Sequence, residues 1–150
     1  MDNVQKLLSL TTSLAGSDPR FLAIKGPGLG NKATSAFIST LRANALSSFG
    51  EDFAEKCICG DSALCVDYYF PHDKAIVEIA FGLRNPKTEF EKDVLKAVMA
   101  KEAGHHISRL VFFSKPGAKA KCAQPGRAGV IKWLRASHGI AVDIYEVGAA

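Results

Sequence analysis

Two apolar runs, ALCVDYYF (63–70) and AIVEIAFG (75–82), are separated only by PHDK, and this pair constrains the chain more than any other feature. Both runs are rich in β-branched and aromatic residues, and the linker has the proline and aspartate of a tight turn. They read as an antiparallel hairpin. A four-residue loop at 71–74 sets the register: Phe70 faces Ala75, Tyr68 faces Val77, and Asp67 faces Glu78. Side chains alternate across a strand. One side is then Val66, Tyr68, Phe70, Val77, Ile79 and Phe81, which is core; the other is Cys65, Asp67, Tyr69, Ile76, Glu78 and Ala80.

Glu78 is the anomaly. A lone carboxylate among such neighbours is costly unless it is paired, hydrogen-bonded or bound to a metal. Opposed side chains lie about 5 Å apart at Cβ, so ionised Asp67 and Glu78 repel each other. A divalent cation between them reverses the sign of that interaction. The structural alternative is a Glu78 that reaches water at a sheet edge or pairs with a base such as Arg109.

The remaining elements follow from periodicity and punctuation. Asp2 caps a first helix over about 2–15, with Val4, Leu7, Leu8 and Leu14 on one stripe. A second runs over about 32–48 and stops near Gly50. Asn85 and Pro86 open a third, which Gly104 ends. RLVFFS (109–114) reads as a fully buried strand. A basic loop, KPGAKAKCAQPGR, leads to a helix near 126–137, and IAVDIYEV (140–147) is a last strand. The order α-α-β-β-α-β-α-β implies an α/β fold with a mixed central sheet flanked by helices, in a single domain over 1–150.

No run approaches the ~20 apolar residues of a membrane span. The segment MDNVQKLLSLTTSLAG lacks the basic start and continuous apolar stretch of a signal peptide. The expectation is a cytoplasmic protein whose four cysteines are thiols. A net charge of +4 permits a phosphate-bearing partner without requiring one.

On the third helix, Phe90, Val94, Ala97 and Val98 form the expected inner stripe, with Glu91 and Lys87 in or beside it and Lys92 and Lys96 pointing away. Strand and helix rises bring the helix level with Glu78 near residues 91–95, so Glu91 meets both conditions of face and reach.

VDYYFPHDKAIVEIAFG, followed by an amphipathic helix and RLVFFS, resembles the PD-(D/E)XK, or restriction-endonuclease-like, nuclease superfamily over about residues 33–147. The resemblance implies an α-β-β-β-α-β core, with one strand more than the pattern above provides. It implies that Asp67 and Glu78 hold Mg²⁺, with Mn²⁺ as a substitute, and that the chain is a DNA endonuclease. The family places a lysine two residues after the second acid; here Ala80 occupies that position. Members supply the lysine from the next helix, for which Lys87 has the better face and Lys92 the better reach. Glu91 is then a ligand to a second ion or orients water. Lys115, Lys119, Lys121 and Arg127 of the basic loop would contact the DNA backbone. Addressing both strands of a duplex favours a homodimer. Without a substitute lysine, the same fold becomes a catalytically inactive nucleic-acid-binding or interaction module.

Two further motifs fall short. GPGLGNKAT (26–34) resembles a phosphate-binding P-loop, but Asn31 replaces its glycine and Ala33 its hydroxyl. What survives is a helix N-terminus at which Asn31, Lys32 and backbone N–H groups meet a DNA phosphate. CICGDSALC lacks paired C-x2-C spacing, so its cysteines read as buried apolar groups and not as zinc ligands.

Overall fold

The computed structural model describes residues 1–18, 21, 32–83 and 89–148. Its elements in chain order are α1 (Asn3–Ser17), α2 (Lys32–Phe49), β1 (Ala54–Lys56), β2 (Val66–Phe70), a 3₁₀ turn (Pro71–Asp73), β3 (Ala75–Ile79), α3 (Glu89–Glu102), β4 (Arg109–Ser114), α4 (Ala118–Cys122), α5 (Pro125–His138) and β5 (Ala141–Glu146). The five strands form one sheet in sequence order. β2 runs antiparallel to both of its neighbours, β1 and β3, whereas β3, β4 and β5 run parallel. The expected α/β class with a mixed sheet between helices is what the chain adopts.

Parallel neighbours need crossovers, and α3 and the α4–α5 pair supply them. Each face of the sheet carries its own core. On one, Val4 and Leu7 of α1 and Phe37 and Leu41 of α2 pack on Phe70, Val77, Val111 and Phe113. On the other, Phe90, Val94 and Ala97 of α3 and Leu134 of α5 cover Ile76, Leu110 and Phe112. β4 lies between these layers, and Leu110 to Ser114 are buried, as a continuous apolar run requires.

The hairpin keeps its expected register, with Tyr68 opposite Val77, Tyr69 opposite Ile76 and Phe70 opposite Ala75. Asp2 caps α1 by accepting from the Gln5 N–H at 2.8 Å. It also meets Arg109, whose other partner is Asp143; Glu78 is not among the partners of Arg109.

Three elements were not anticipated. β1 is a three-residue edge strand, too short for an alternation pattern, and Glu55 within it has φ 54°. Its start is pinned by Asp52, which accepts from the Ala54 N–H and pairs with Arg42 of α2. The basic loop contains the short helix α4, and the hairpin turn is a 3₁₀ turn closed by Lys74 at φ 52°.

The cysteines also depart from expectation. Cys57 and Cys65 form a disulfide, while Cys59 and Cys122 are free and buried. The β1–β2 register explains the pairing: Lys56 faces Val66, so the next positions outward, 57 and 65, face each other.

Phe112 is fully buried on β4 and stacks on Phe90 of α3, with centroids 5.5 Å apart. Phe112→Ala should therefore cost about 3–5 kcal/mol in urea or thermal unfolding. A loss below ~1 kcal/mol would show that α3 does not pack on β4 as described.

Candidate functional site

β2 and β3 part just beyond the Tyr68–Val77 pair, and two side chains fill the gap. Asp67 Oδ2 accepts from the Ile79 N–H at 2.7 Å, and Glu78 Oε1 accepts from the Asp67 N–H at 2.9 Å. Each carboxylate satisfies a backbone donor that the ladder has released. Asp67 and Glu78 therefore sit together, with one oxygen of each left over.

Alternation along β3 turns Ile76, Glu78 and Ala80 toward α3. That helix answers with Asp93 and Lys96. Lys96 Nζ lies 2.7 Å from Glu78 Oε2 and 3.1 Å from Asp93 Oδ1, and donates to the Cys65 carbonyl at 3.0 Å. Its approach to Oε2 is a close charge contact and not a directed hydrogen bond, since that buried oxygen has no hydrogen-bond partner of good geometry. Glu78 is 1% exposed, Asp93 6% and Lys96 7%, while Asp67 is half-buried.

Three carboxyls around one ammonium are not balanced. Burial holds Glu78 well above the usual carboxylate range, reinforced by the charges of Asp67 and Asp93 and opposed by Lys96. Burial likewise raises Asp93. Asp67 is pushed up to about 6, again by burial, although the Ile79 N–H and Lys96 pull the other way. For Lys96, burial disfavours the charge, but Glu78 and Asp93 more than offset it and hold the amine protonated above the ordinary lysine range.

A cleft of about 240 Å³ opens beside this cluster. Asp67, Ile79, Cys65 and Lys96 form its floor, with Glu55, Glu89 and Lys92 among its walls. It lies where β3 ends, between the β1–β2 segment and α3.

The residues expected at the site distribute unevenly. Asp67 and Glu78 come together, and Lys92 lines the cleft beside them. Lys87 and Asn31 fall outside the described residues. Glu91 is exposed and is not a cleft residue. The inner face of α3 keeps Phe90, Val94 and Ala97 and widens to take in Asp93, Lys96 and Ala100. Lys96, expected to point away, points in. Lys115 is 1% exposed with Nζ 5.1 Å from the Phe21 ring centroid, so its charge is not presented at the surface. Lys32 and Lys119 are exposed, and Lys121 is half-buried. Arg127 donates to the Leu83 carbonyl and lies over the Phe90 ring.

Sequence reasoning missed Asp93 and Lys96. Their i,i+3 spacing was visible, but a hydrophobic stripe cannot register a buried charged pair. Among the described residues no group of three or more ligating side chains is arranged to hold a metal. No helix among them is long and apolar enough to cross a membrane. Comparison with family models, with curated proteins and with solved structures finds no match for the chain.

Two outcomes follow from this electrostatics. Lys96→Met removes the only cation in the cluster and should cost about 3–5 kcal/mol at pH 7.5. The loss should be smaller at pH 5, where the carboxyls neutralise themselves, and Glu78→Gln added to Lys96→Met should restore part of it. Equal losses at both pH values would show that the pair contributes packing alone. Separately, the folded chain binds a proton at Asp67 more tightly than the unfolded chain, whose carboxyl titrates near ~3.9. Native protein therefore holds the extra proton between pH ~4 and 6, and wild-type stability falls as pH rises through that window. Asp67→Asn should flatten this slope, a change on the order of 2 kcal/mol by chemical denaturation at pH 4.5 and 7.

Proposed function

We propose that the chain is a divalent-metal-dependent DNA endonuclease with a restriction-endonuclease-like core. The observation that carries this reading is the meeting of Asp67, Glu78 and Lys96 at the open end of the β2–β3 hairpin, where Asp67 and Lys96 line the cleft and Glu78 lies buried behind them. The strand arrangement supports it: β1 supplies the third antiparallel strand that the resemblance requires, before α3 and the parallel β4. DNA as the substrate comes from the resemblance.

The residues present fit a magnesium ion. Glu78 Oε2 is buried with the Lys96 ammonium beside it and no directed hydrogen bond, and burial raises both acids, Glu78 further through the charge of Asp67, a cost that a cation would relieve. Mg²⁺ is commonly bound by one or two carboxylates, with waters and substrate phosphate completing the shell, so the lack of a third protein ligand is no obstacle. Held by Asp67 and Glu78, with Mn²⁺ as substitute, it would polarise the scissile phosphate and lower the pKa of the attacking water.

The chain's own groups do the rest. Asp93 and the Cys65 carbonyl hold the Lys96 ammonium at the cleft floor, so it keeps two partners when Glu78 is engaged elsewhere. From there it offsets charge on the reacting phosphate. Lys96 thus takes the role considered for Lys87 and Lys92, with Ala80 leaving the space. Lys92, on the wall, faces the incoming backbone. Lys119 and Lys121 on α4 lie at the same end of the sheet and suit backbone phosphates beyond the cleft. A homodimer would present two clefts to the two strands, and the cytoplasm is the compartment this activity fits.

A second reading, a catalytically inactive nucleic-acid-binding or interaction module, is favoured by a specific observation. Lys96 rests against Glu78, the carboxylate that must meet the cation, and Ala80 stands at the family's lysine position.

Purified protein incubated with supercoiled plasmid and Mg²⁺ or Mn²⁺ should nick it. Asp67→Asn and Glu78→Gln should reduce the rate by at least ~10²-fold, and Lys96→Met by ~10²–10⁴-fold. Plasmid binding without nicking, even in Mn²⁺, would overturn the nuclease reading in favour of the module.

A further inference from the structure

The wall of the cleft opposite α3 is the segment that joins β1 to β2. Ala63, Leu64 and Cys65 line the cavity there. The ends of this segment are tied by the Cys57–Cys65 disulfide, whose Cα atoms are 3.9 Å apart across the two strands. Its middle rests on α3, where the Cys59 thiol donates to the Lys96 carbonyl at 3.4 Å. Between these anchors the hydrogen bonds are local: the Ser62 N–H and hydroxyl donate to the Cys59 carbonyl, and the Leu64 N–H donates to Ser62 Oγ, while Ile58 and Leu64 pack on the core. Cys65 thus belongs to three structures at once: the disulfide, the cleft wall, and the carbonyl that accepts from Lys96 Nζ.

We propose that this disulfide is a redox switch on the candidate site: bonded, it holds the cleft narrow and Lys96 clamped to Glu78; reduced, it releases the wall and lets the cleft open. The effect on catalysis rests on the nuclease reading above, whereas the opening itself does not. Two placements support the assignment. Disulfide-bonded Cys65 itself lines the cavity of about 240 Å³, a volume below the ~300–1,000 Å³ of pockets that enclose ligand-sized molecules. The loop 58–64 is short, and its ends meet at the disulfide one position beyond the Lys56–Val66 pair. Cys57 is exposed and open to attack. Cys59 is 1% exposed, and burial raises its thiol, which keeps it a packing group and not a competing nucleophile.

The chemistry is thiol–disulfide exchange with a dithiol reductant. One reductant thiolate attacks a sulfur of the Cys57–Cys65 bond, and the other sulfur departs and takes up a proton. The reductant's second thiolate then displaces the remaining cysteine, which is protonated in turn, and the reductant closes to its own disulfide.

The test compares air-oxidised protein, protein reduced with dithiothreitol, and Cys57→Ser. Thiol titration in denaturant should find two thiols in the oxidised chain and four after reduction. Amide exchange at 58–65 should be at least ~10-fold faster in the reduced chain and in Cys57→Ser, with β3 and β4 unchanged. Mn²⁺ affinity and plasmid nicking should rise ~10-fold on reduction, and Cys57→Ser should match the reduced state whether or not reductant is present. Four thiols in the oxidised chain, or exchange at 58–65 within twofold between states, would overturn the switch. Nicking at one rate in both states would overturn it while leaving the nuclease standing. Faster exchange and tighter Mn²⁺ binding with no nicking in any state would remove the nuclease and keep the switch.

Discussion

A lysine ammonium buried between two carboxylates, at the point where two strands separate, is the interaction on which the rest of this molecule depends. Glu78 sits in a sheet with α3 packed over it, far from bulk water. An unpaired charge there would not be tolerated, and Lys96 is what permits it. To reach Glu78, α3 turns Asp93 and Lys96 inward beside Phe90, Val94 and Ala97. Leu95 lies half-exposed on its outer side. The stability of this packing and the electrostatics beside the cleft share one set of atoms.

The same interaction shapes the sheet. In a regular hairpin the Asp67 and Ile79 N–H groups would find carbonyl partners. Here they find carboxylates, so the strands open without leaving these donors unpaired. That opening turns a hairpin into the floor of a cleft. It lies at the carboxyl end of β3, where open α/β sheets offer space for ligands because the following segments diverge to opposite faces. β1 and the Cys57–Cys65 bond close the far side, and α2 contributes Ile38.

The legible parts of the fold were those governed by local pattern. The hairpin register followed from one loop length and two runs of alternating residues, and with it came the meeting of Asp67 and Glu78. β4 was readable because no polar residue interrupts LVFF. β1 was not, since three residues of mixed character carry no period, and its existence depends on Asp52, Arg42 and the β2 edge. The same gap hid the disulfide, which becomes geometrically obvious only once Lys56 is set against Val66. For α3 the failure was one of principle: an apolar moment treats Asp93 and Lys96 as outward-facing, whereas their mutual pairing through Glu78 makes them inward. Charged residues chosen as candidates for their position on the stripe, such as Glu91, then lost to a pair chosen by partnership. Lys115 shows the same limit, since a basic loop read as facing a DNA backbone holds a lysine against an aromatic ring.

The arrangement is best understood as one held short of neutrality. Three carboxyls face one ammonium, and the shortfall is met by drawing protons: burial pushes Asp67 up to about 6 and holds Glu78 well above the usual carboxylate range. A purely structural cluster would gain by trading one acid for an amide, which keeps the hydrogen bonds to Asp67 and Ile79 N–H groups as acceptor contacts and removes the repulsion. Retaining two ionisable groups on those donors costs stability as the pH rises toward neutrality. That cost is offset only if something positive arrives, and the leftover oxygens of Asp67 and Glu78 are where it would arrive. Lys96, already shared with Asp93 and the Cys65 carbonyl, can give up its contact with Glu78 without becoming an orphan charge. The cluster is thus consistent with exchanging one cation for another, which a core ion pair with a single partner on each side could not do without leaving a bare charge behind.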